Sequence, residues 1–564
     1  MQLTAPNVRA AAKRVLSLLL LLFAVILTFR TSWIISETLL DSDAAANMIL
    51  GEKLAREGGI LSSTFRYGTE LYVADMQIIY SLLFRICGDW SLVRFWGAAL
   101  MQLLMLAAYG LLARQSRMSF NMFCVTGAAL LLPFSVPYGR IVVFHNYYTP
   151  HVTLDFLMIG LLLGVRRRTE EKAAWWKIAL WGGGLAVTGF VSGLAGVRQL
   201  MICAAPAMTA AALCAAWDRK DSALKEELPS LIWAAALLIA VLGGYLVNSR
   251  VLSEIYAFNS YDDQLLLLAE PEKRQIVLEG FLMSVGYEND IDLFTLQGML
   301  SVASVAATLI ALLLAAFTFF RSENRNARFV SAFLLSSLAV ITCVFCFLSS
   351  QEFRIELYYL PVIVWMLPAL GLADARKAEP EPMTLRGLAG LESSPLSARR
   401  MTALAACAML IANGVFYTGF FRDPMASEGS IRYTGLNVED TQTVEVLAPI
   451  ADYLKENGYT LCYADYWNGG VITELTDGQV KSVSVEPTGR KKPLRYFAWM
   501  ADQNLWDAGF AAEQKACILS DANSIGPYMD DILEKIEGLE ERESFLSYTV
   551  WELTDPAAVA RSLE

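Results

Sequence analysis

A chain of 564 residues that is 55% hydrophobic, 18% charged and has a mean hydropathy of +0.43 is too apolar for an ordinary soluble domain and reads as an integral membrane protein. Its formal net charge of −11 argues against a nucleic-acid partner, because grip on a phosphate backbone draws on clustered Lys and Arg. Most of the nine cysteines fall inside apolar runs as small hydrophobes; Cys87, Cys462 and Cys517 stand outside them, and Cys462 with Cys517 is expected as either a disulfide or two buried thiols.

Taken in chain order, apolar runs of about 20 residues, enough to cross roughly 30 Å of hydrocarbon, recur over most of positions 1–420. About eleven spans are expected, centred near Leu22, Met101, Leu130, Ile159, Val187, Thr209, Leu237, Ile310, Ala339, Val364 and Leu410. Each is read as a helix, because only helices and closed barrels satisfy their backbone in lipid and no period-2 barrel strands are present. The first is expected as an uncleaved anchor, its apolar run being long and followed by no small-x-small cleavage site. Alternate loops are basic: Arg9, Lys13 and Arg14 precede the first span, Arg166, Arg167, Arg168 and Lys172 follow the fourth, and Arg376, Lys377, Arg399 and Arg400 lie before the last. The positive-inside rule then predicts a multi-pass plasma-membrane protein with a cytoplasmic amino terminus and everything after Phe421 outside. In the Gly-rich stretch Trp181 to Leu200, a complete span and a re-entrant one are both open.

Composition changes near Phe421. Residues 421–564 carry dense Asp, Glu and Lys with no spanning run, so a multi-span domain over 1–420 and an extracytoplasmic soluble domain over 421–564 are expected. In the latter, TQTVEVLAPIADYLKENG predicts a helix ended by Gly458, TLCYADY a strand, WNGGVITELTDG a short helix and turn, and VKSVSVEP a strand. KACILSD predicts a buried strand, SIGPYMDDILEKIEG a helix and ESFLSYTVWEL a last strand. Alternating strands and helices imply a small α/β layer. The whole is an all-α polytopic membrane domain followed by a small α/β domain.

The outer loops carry the residues suited to chemistry. Asp41 and Asp43 stand two apart just after the first span, where an extended backbone would point both carboxylates the same way. Such a pair can share a proton, leave one acid as a general base, or coordinate a divalent cation, Mg²⁺ or Mn²⁺. Asp43 also suits an N-cap for a helix over Ala44 to Arg56, a role compatible with the others. Downstream, Val73, Met76, Ile79, Leu83 and Ile86 recur at helical spacing, predicting an amphipathic helix on the membrane surface. Both histidines of the chain, His145 and His151, fall in HNYYTPH with Tyr148 between them and Asp155 one turn beyond, a cluster able to bind metal or orient a phosphate, or simply to anchor at the interface. Arg30, Arg94, Arg140, Arg198 and Arg354 sit near the outer ends of spans, where a charge is costly unless it faces a cavity. Arg198 and Arg354 best suit bidentate contact with phosphate, against snorkelling to headgroups. In the soluble domain Tyr463, Tyr466, Trp467, Tyr496, Trp499 and Trp506 serve as core or as stacking faces for sugars.

The run DAAANMILGEKLAREGG from Asp43 to Gly59, with Gly58 fifteen positions after the acid, resembles the first outer loop of the C-type (GT-C) membrane glycosyltransferases, which include protein O-mannosyltransferases and lipid A aminoarabinose transferases. FRIELYYLPVIVWMLPALGLA, from Phe353 to Ala373, is similar to their late span with its basic residue and Tyr-Leu-Leu-Pro-like run. The family usually has Asp-Glu at the acid, whereas Asp43 here is followed by Ala44 and preceded by Asp41. The resemblance implies transfer of a sugar from a polyprenyl-phosphate-linked donor, at the outer face, to a glycan, lipid or protein acceptor. Asp43 would act on the acceptor hydroxyl with Asp41 assisting, and Arg198, Arg354 and Tyr358 would receive the lipid phosphate. A transporter or flippase of a lipid-linked glycan would place its charges near the bilayer centre, and a non-catalytic envelope protein would act through its outer domain alone.

Overall fold

The computed structural model describes residues 5–38, 40–133, 135–144, 146–217, 223–258, 271–287, 292–348, 354–373, 431–433, 436–438, 441–488 and 492–563. Among them nine helices are long and apolar enough to cross a membrane, and the chain is a multi-pass membrane protein with a small strand-containing carboxy-terminal layer. The expected eleven spans are thus corrected in one place and untested in another. The run around Leu130 forms only Phe120–Leu131, because Pro133 forces Leu132 out of the helical region (φ −98°, ψ 119°). The span expected near Leu410 lies outside the described residues. The Gly-rich span is a continuous helix, Trp175–Ala195, ended by Gly196 at φ 149°.

Packing divides the chain into two compact units. One comprises residues 1–29, 101–247 and 262–422; the other comprises 30–100, 248–261 and 423–564. Residues 423–564 therefore fall in one compact unit with residues 30–100.

The first unit is helical. Its helices approach at small residues: a side chain at Gly193 would strike the Val241 carbonyl and one at Gly244 the Phe190 carbonyl, so helices Trp175–Ala195 and Ala223–Arg250 meet backbone to backbone. Trp365 fills the centre, edge-on to Phe333 (4.4 Å) and Phe156 (5.1 Å). At one end of these helices Arg325 bridges Glu227 (2.7 Å) and Glu170 (3.3 Å), and Arg166 reaches Ser230 (3.4 Å) and Asn326.

The second unit is built on a six-stranded sheet: β1 (Leu461–Ala464), β2 (Lys481–Pro487), β3 (Leu494–Tyr496), β4 (Ala516–Asp521), β5 (Leu539–Phe545) and β6 (Tyr548–Leu553), in the order β3-β2-β1-β4-β6-β5. β1 lies parallel to both β2 and β4, and the remaining pairs are antiparallel. Side chains alternate between its two cores. Leu461, Tyr463, Val483 and Ile518 enter one with Ile532, while Cys462, Ala464 and Leu519 enter the other with Leu447, Leu454 and Ile472. Cys462 and Cys517 face each other across β1 and β4 as two buried thiols. The last predicted strand is instead the hairpin β5–β6, turning at Leu546 (φ 48°).

The first-loop helix, Ser42–Glu57, belongs to this unit. It stops at Gly58, whose φ of 75° is open to glycine at little cost and whose N–H donates to the Leu54 carbonyl. Gly51 allows helix Met76–Phe84 to close on it, since a methyl there would stand 2.5 Å from Tyr80 Cβ. That second helix buries Met76, Gln77, Tyr80 and Ser81, leaving Leu82 and Ile86 exposed.

Candidate active site

The first-loop helix starts two residues earlier than expected. Asp41, extended at φ −124°, is the N-cap and accepts from the Ala44 N–H at 2.8 Å, so Asp43 lies inside the first turn with its side chain committed elsewhere. The Tyr466 hydroxyl donates to Asp43 Oδ1 at 2.6 Å. Tyr466 opens helix Tyr466–Leu475, which follows β1 and is capped by Asp465; that carboxylate accepts from the N–H groups of Trp467 (2.8 Å) and Asn468 (3.2 Å). The two helix starts are joined again where Ser42 Oγ donates to the Trp467 carbonyl at 2.5 Å. Gly470 leaves room for Ala45, whose Cβ would be 3.2 Å from an added methyl.

Electrostatics here are shaped by burial. Burial first, and then the charge and hydrogen bond of Asp43, push the Tyr466 phenol well above its ordinary value, so it stays a donor. Asp465 is pushed up to about 7, mainly by burial and then by its hydrogen-bonded neighbour Asp521 at the end of β4. Burial also raises Glu474 although Arg94 faces it. Arg94 grips Glu474 through Nε at 2.6 Å and through Nη2, and Lys53 is paired with Asp502 at 2.8 Å, both pairs largely out of water. Arg94, an outer-end candidate for phosphate, is thus part of a buried ion pair.

Beside Tyr466 a cleft of about 410 Å³, counted to its open mouth, is lined by Ser42, Ala46, Gly470, Ser484 and Trp506 among others.

In the helical unit a second group forms. After Gly196 the chain makes a π-helical turn, Leu200–Ala204, and the residues between present Arg198, which is 8% exposed. Its guanidinium lies over the Tyr148 ring at 4.3 Å and the Tyr358 ring at 5.3 Å. Tyr148 meets the His151 ring edge-on at 5.6 Å, and Gln199 Nε2 lies 3.3 Å from the His151 carbonyl and 3.4 Å from its Nδ1. Four of the sequence candidates, Arg198, Tyr148, Tyr358 and His151, are therefore neighbours. Asp155 lies deeper, fully buried beside Cys203 and Trp365. Arg354 is exposed at φ 56°, immediately before helix Ile355–Ile363. His145 lies outside the described residues.

Glu474 is not singled out by sequence reasoning, and Tyr466 is named there only among the aromatics that serve as core or as stacking faces for sugars. Tyr466 reads locally as one of several aromatics, and Glu474 as an ordinary helical acid; no local pattern marks either. Among the described residues no three His, Cys, Asp or Glu side chains gather as a metal cluster.

No protein-family model matches the chain, and no curated protein matches it. Solved structures do. The structure of ArnT from Cupriavidus metallidurans bound to undecaprenyl phosphate superposes with a TM-score of 0.54 at 10% identity, over 96% of this chain and 99% of that one. An Archaeoglobus fulgidus oligosaccharyltransferase with a tethered acceptor peptide is matched at 0.44 and 12% identity, over 95% of this chain and 74% of that one. The arabinofuranosyltransferase AftD from mycobacteria is matched at 0.45 and 13% identity, over 94% and 40%. The chain has the C-type glycosyltransferase fold.

Proposed function

We propose that this protein moves a sugar from a polyprenyl-phosphate-linked donor to an acceptor hydroxyl at the outer face of the membrane, with the amino terminus in the cytoplasm. The observation that carries the reading is the Asp43 carboxylate, set in the first turn of the first-loop helix and held there by Tyr466. A carboxylate so held is suited to take a proton from, or orient, a sugar or lipid hydroxyl as it attacks the anomeric carbon. The neutral and cationic groups of the helical unit suit the other product: Arg198, stacked on Tyr148 and Tyr358, is a preorganised partner for the phosphate that leaves with the lipid. We assign Arg354 and His151 to the same phosphate or its sugar. Asp41 and Asp43 are the oxygens we assign to a Mg²⁺ or Mn²⁺ ion, the rest of its shell coming from donor phosphate and water, as is usual for Mg²⁺. Such an ion would stabilise charge growing on the phosphate.

The test is release of polyprenyl phosphate from a panel of polyprenyl-phosphate sugars by full-length protein in lipid, with and without EDTA. Release that disappears in Asp43→Asn supports the reading. No release from any donor by folded protein overturns it in favour of transport or a scaffold role.

A further inference from the structure

Tyr466 is only 7% exposed, and its ring is packed between Phe497 (5.2 Å) and Trp467 (5.3 Å). Packing of this kind is served equally by phenylalanine. The hydroxyl is what needs explaining: it donates to Asp43 Oδ1, 2.6 Å away and 423 positions distant in sequence, with Met500 Sδ farther off at 3.9 Å. Its aim is fixed from behind. Asp465 pins the first turn of the helix, and Ser42 ties the Trp467 carbonyl to the residue next to Asp43. Gly470 against Ala45 sets how closely the two helices approach. Donor and acceptor are therefore held in register by three contacts that do not involve either side chain.

A phenol that donates to a carboxylate restricts its rotamer. We propose that Tyr466 is a positioning residue for Asp43, holding that carboxylate in its working orientation, so that the carboxy-terminal α/β layer fixes the acid carried by helix Ser42–Glu57. This rests on Asp43 being the reacting acid.

The experiment follows polyprenyl-phosphate release by the full-length protein in lipid nanodiscs, using a polyprenyl-phosphate sugar that the wild type turns over. For Tyr466→Phe the expected result is an unchanged unfolding temperature and KM with a roughly tenfold fall in kcat, as loss of one hydrogen bond to a charged group implies. para-Aminophenylalanine incorporated at position 466, which keeps an N–H donor on a ring of almost the same shape, should retain most of the turnover, and this arm decides the matter even where Tyr466→Phe fails to fold. Wild-type kcat in Tyr466→Phe, or lost turnover in folded para-aminophenylalanine protein, with Asp43→Asn inactive, overturns the role of Tyr466 and leaves the functional reading standing. Full turnover by Asp43→Asn overturns the reading itself.

Discussion

Two buried polar clusters of this molecule, one in each compact unit, are held by different means. Around helix Ser42–Glu57 the side chains are fastened by hydrogen bonds or ion pairs: Asp43 by Tyr466, Asp41 by the Ala44 N–H, Glu474 by Arg94 and Lys53 by Asp502. In the helical unit Arg198 is held between the faces of Tyr148 and Tyr358. A carboxylate fixed by a donor keeps its direction. A guanidinium resting on aromatic faces keeps its in-plane N–H groups directed outward from the stack, the geometry that a phosphate uses. Two arginines, one in each unit, thus differ: Arg94 is a strut, and Arg198 is the group we assign to the lipid phosphate.

Substitutions can break or sharpen that contrast. The largest effect is expected at the fixed carboxylate: Asp43→Asn should lower transfer by about 10² to 10⁴-fold with the fold intact, measured as polyprenyl-phosphate release. Next comes the strut. Arg94→Ala leaves Glu474 buried without its cation and should cost about 3–5 kcal/mol, read as a lower unfolding temperature, while the pair Arg94→Met with Glu474→Leu should recover most of it. Arg198→Lys retains charge but gives up the planar stack, so donor affinity should fall about tenfold with little change in unfolding, separating this arginine from Arg94 in a single assay. The smallest effect is a slope. Asp465 holds its proton in the folded protein up to about pH 7, well above its ordinary range, so the folded form binds more protons than the unfolded chain between these limits. Its contribution to stability is present at acid pH and is lost as pH rises through about 7. Asp465→Asn, which can still cap the helix, should flatten unfolding temperature against pH across that window.

How much of this was legible depends on the reach of each interaction. Long apolar runs announce themselves, and the spans near Leu22, Met101, Ile159 and Leu237 stand where hydropathy puts them. The run near Leu130 misled because length alone was counted and Pro133 was not. Asp41 rather than Asp43 caps the helix, since LLDSD offers two acids two residues apart and helix starts are read from sequence only to within a residue or two. β5 and β6 were merged because the turn between them uses Leu546 at positive φ, with no Gly or Asn to mark it. Pairings such as Asp43 with Tyr466 and Arg94 with Glu474 join residues hundreds of positions apart, and a single sequence holds no local signal for them.

The backbone-to-backbone crossing at Gly193 and Gly244 gives the helical unit a kind of machinist's datum. With no side chain between the two helices there is nothing compressible to take up error, so the end of helix Trp175–Ala195 is indexed directly to its neighbour. Arg198 follows five residues later, and its distance from that datum is set by one glycine bend and less than a helical turn. A tolerance of this sort is inherited by whatever the guanidinium holds, and a methyl group added far from any ligand would be enough to spoil it.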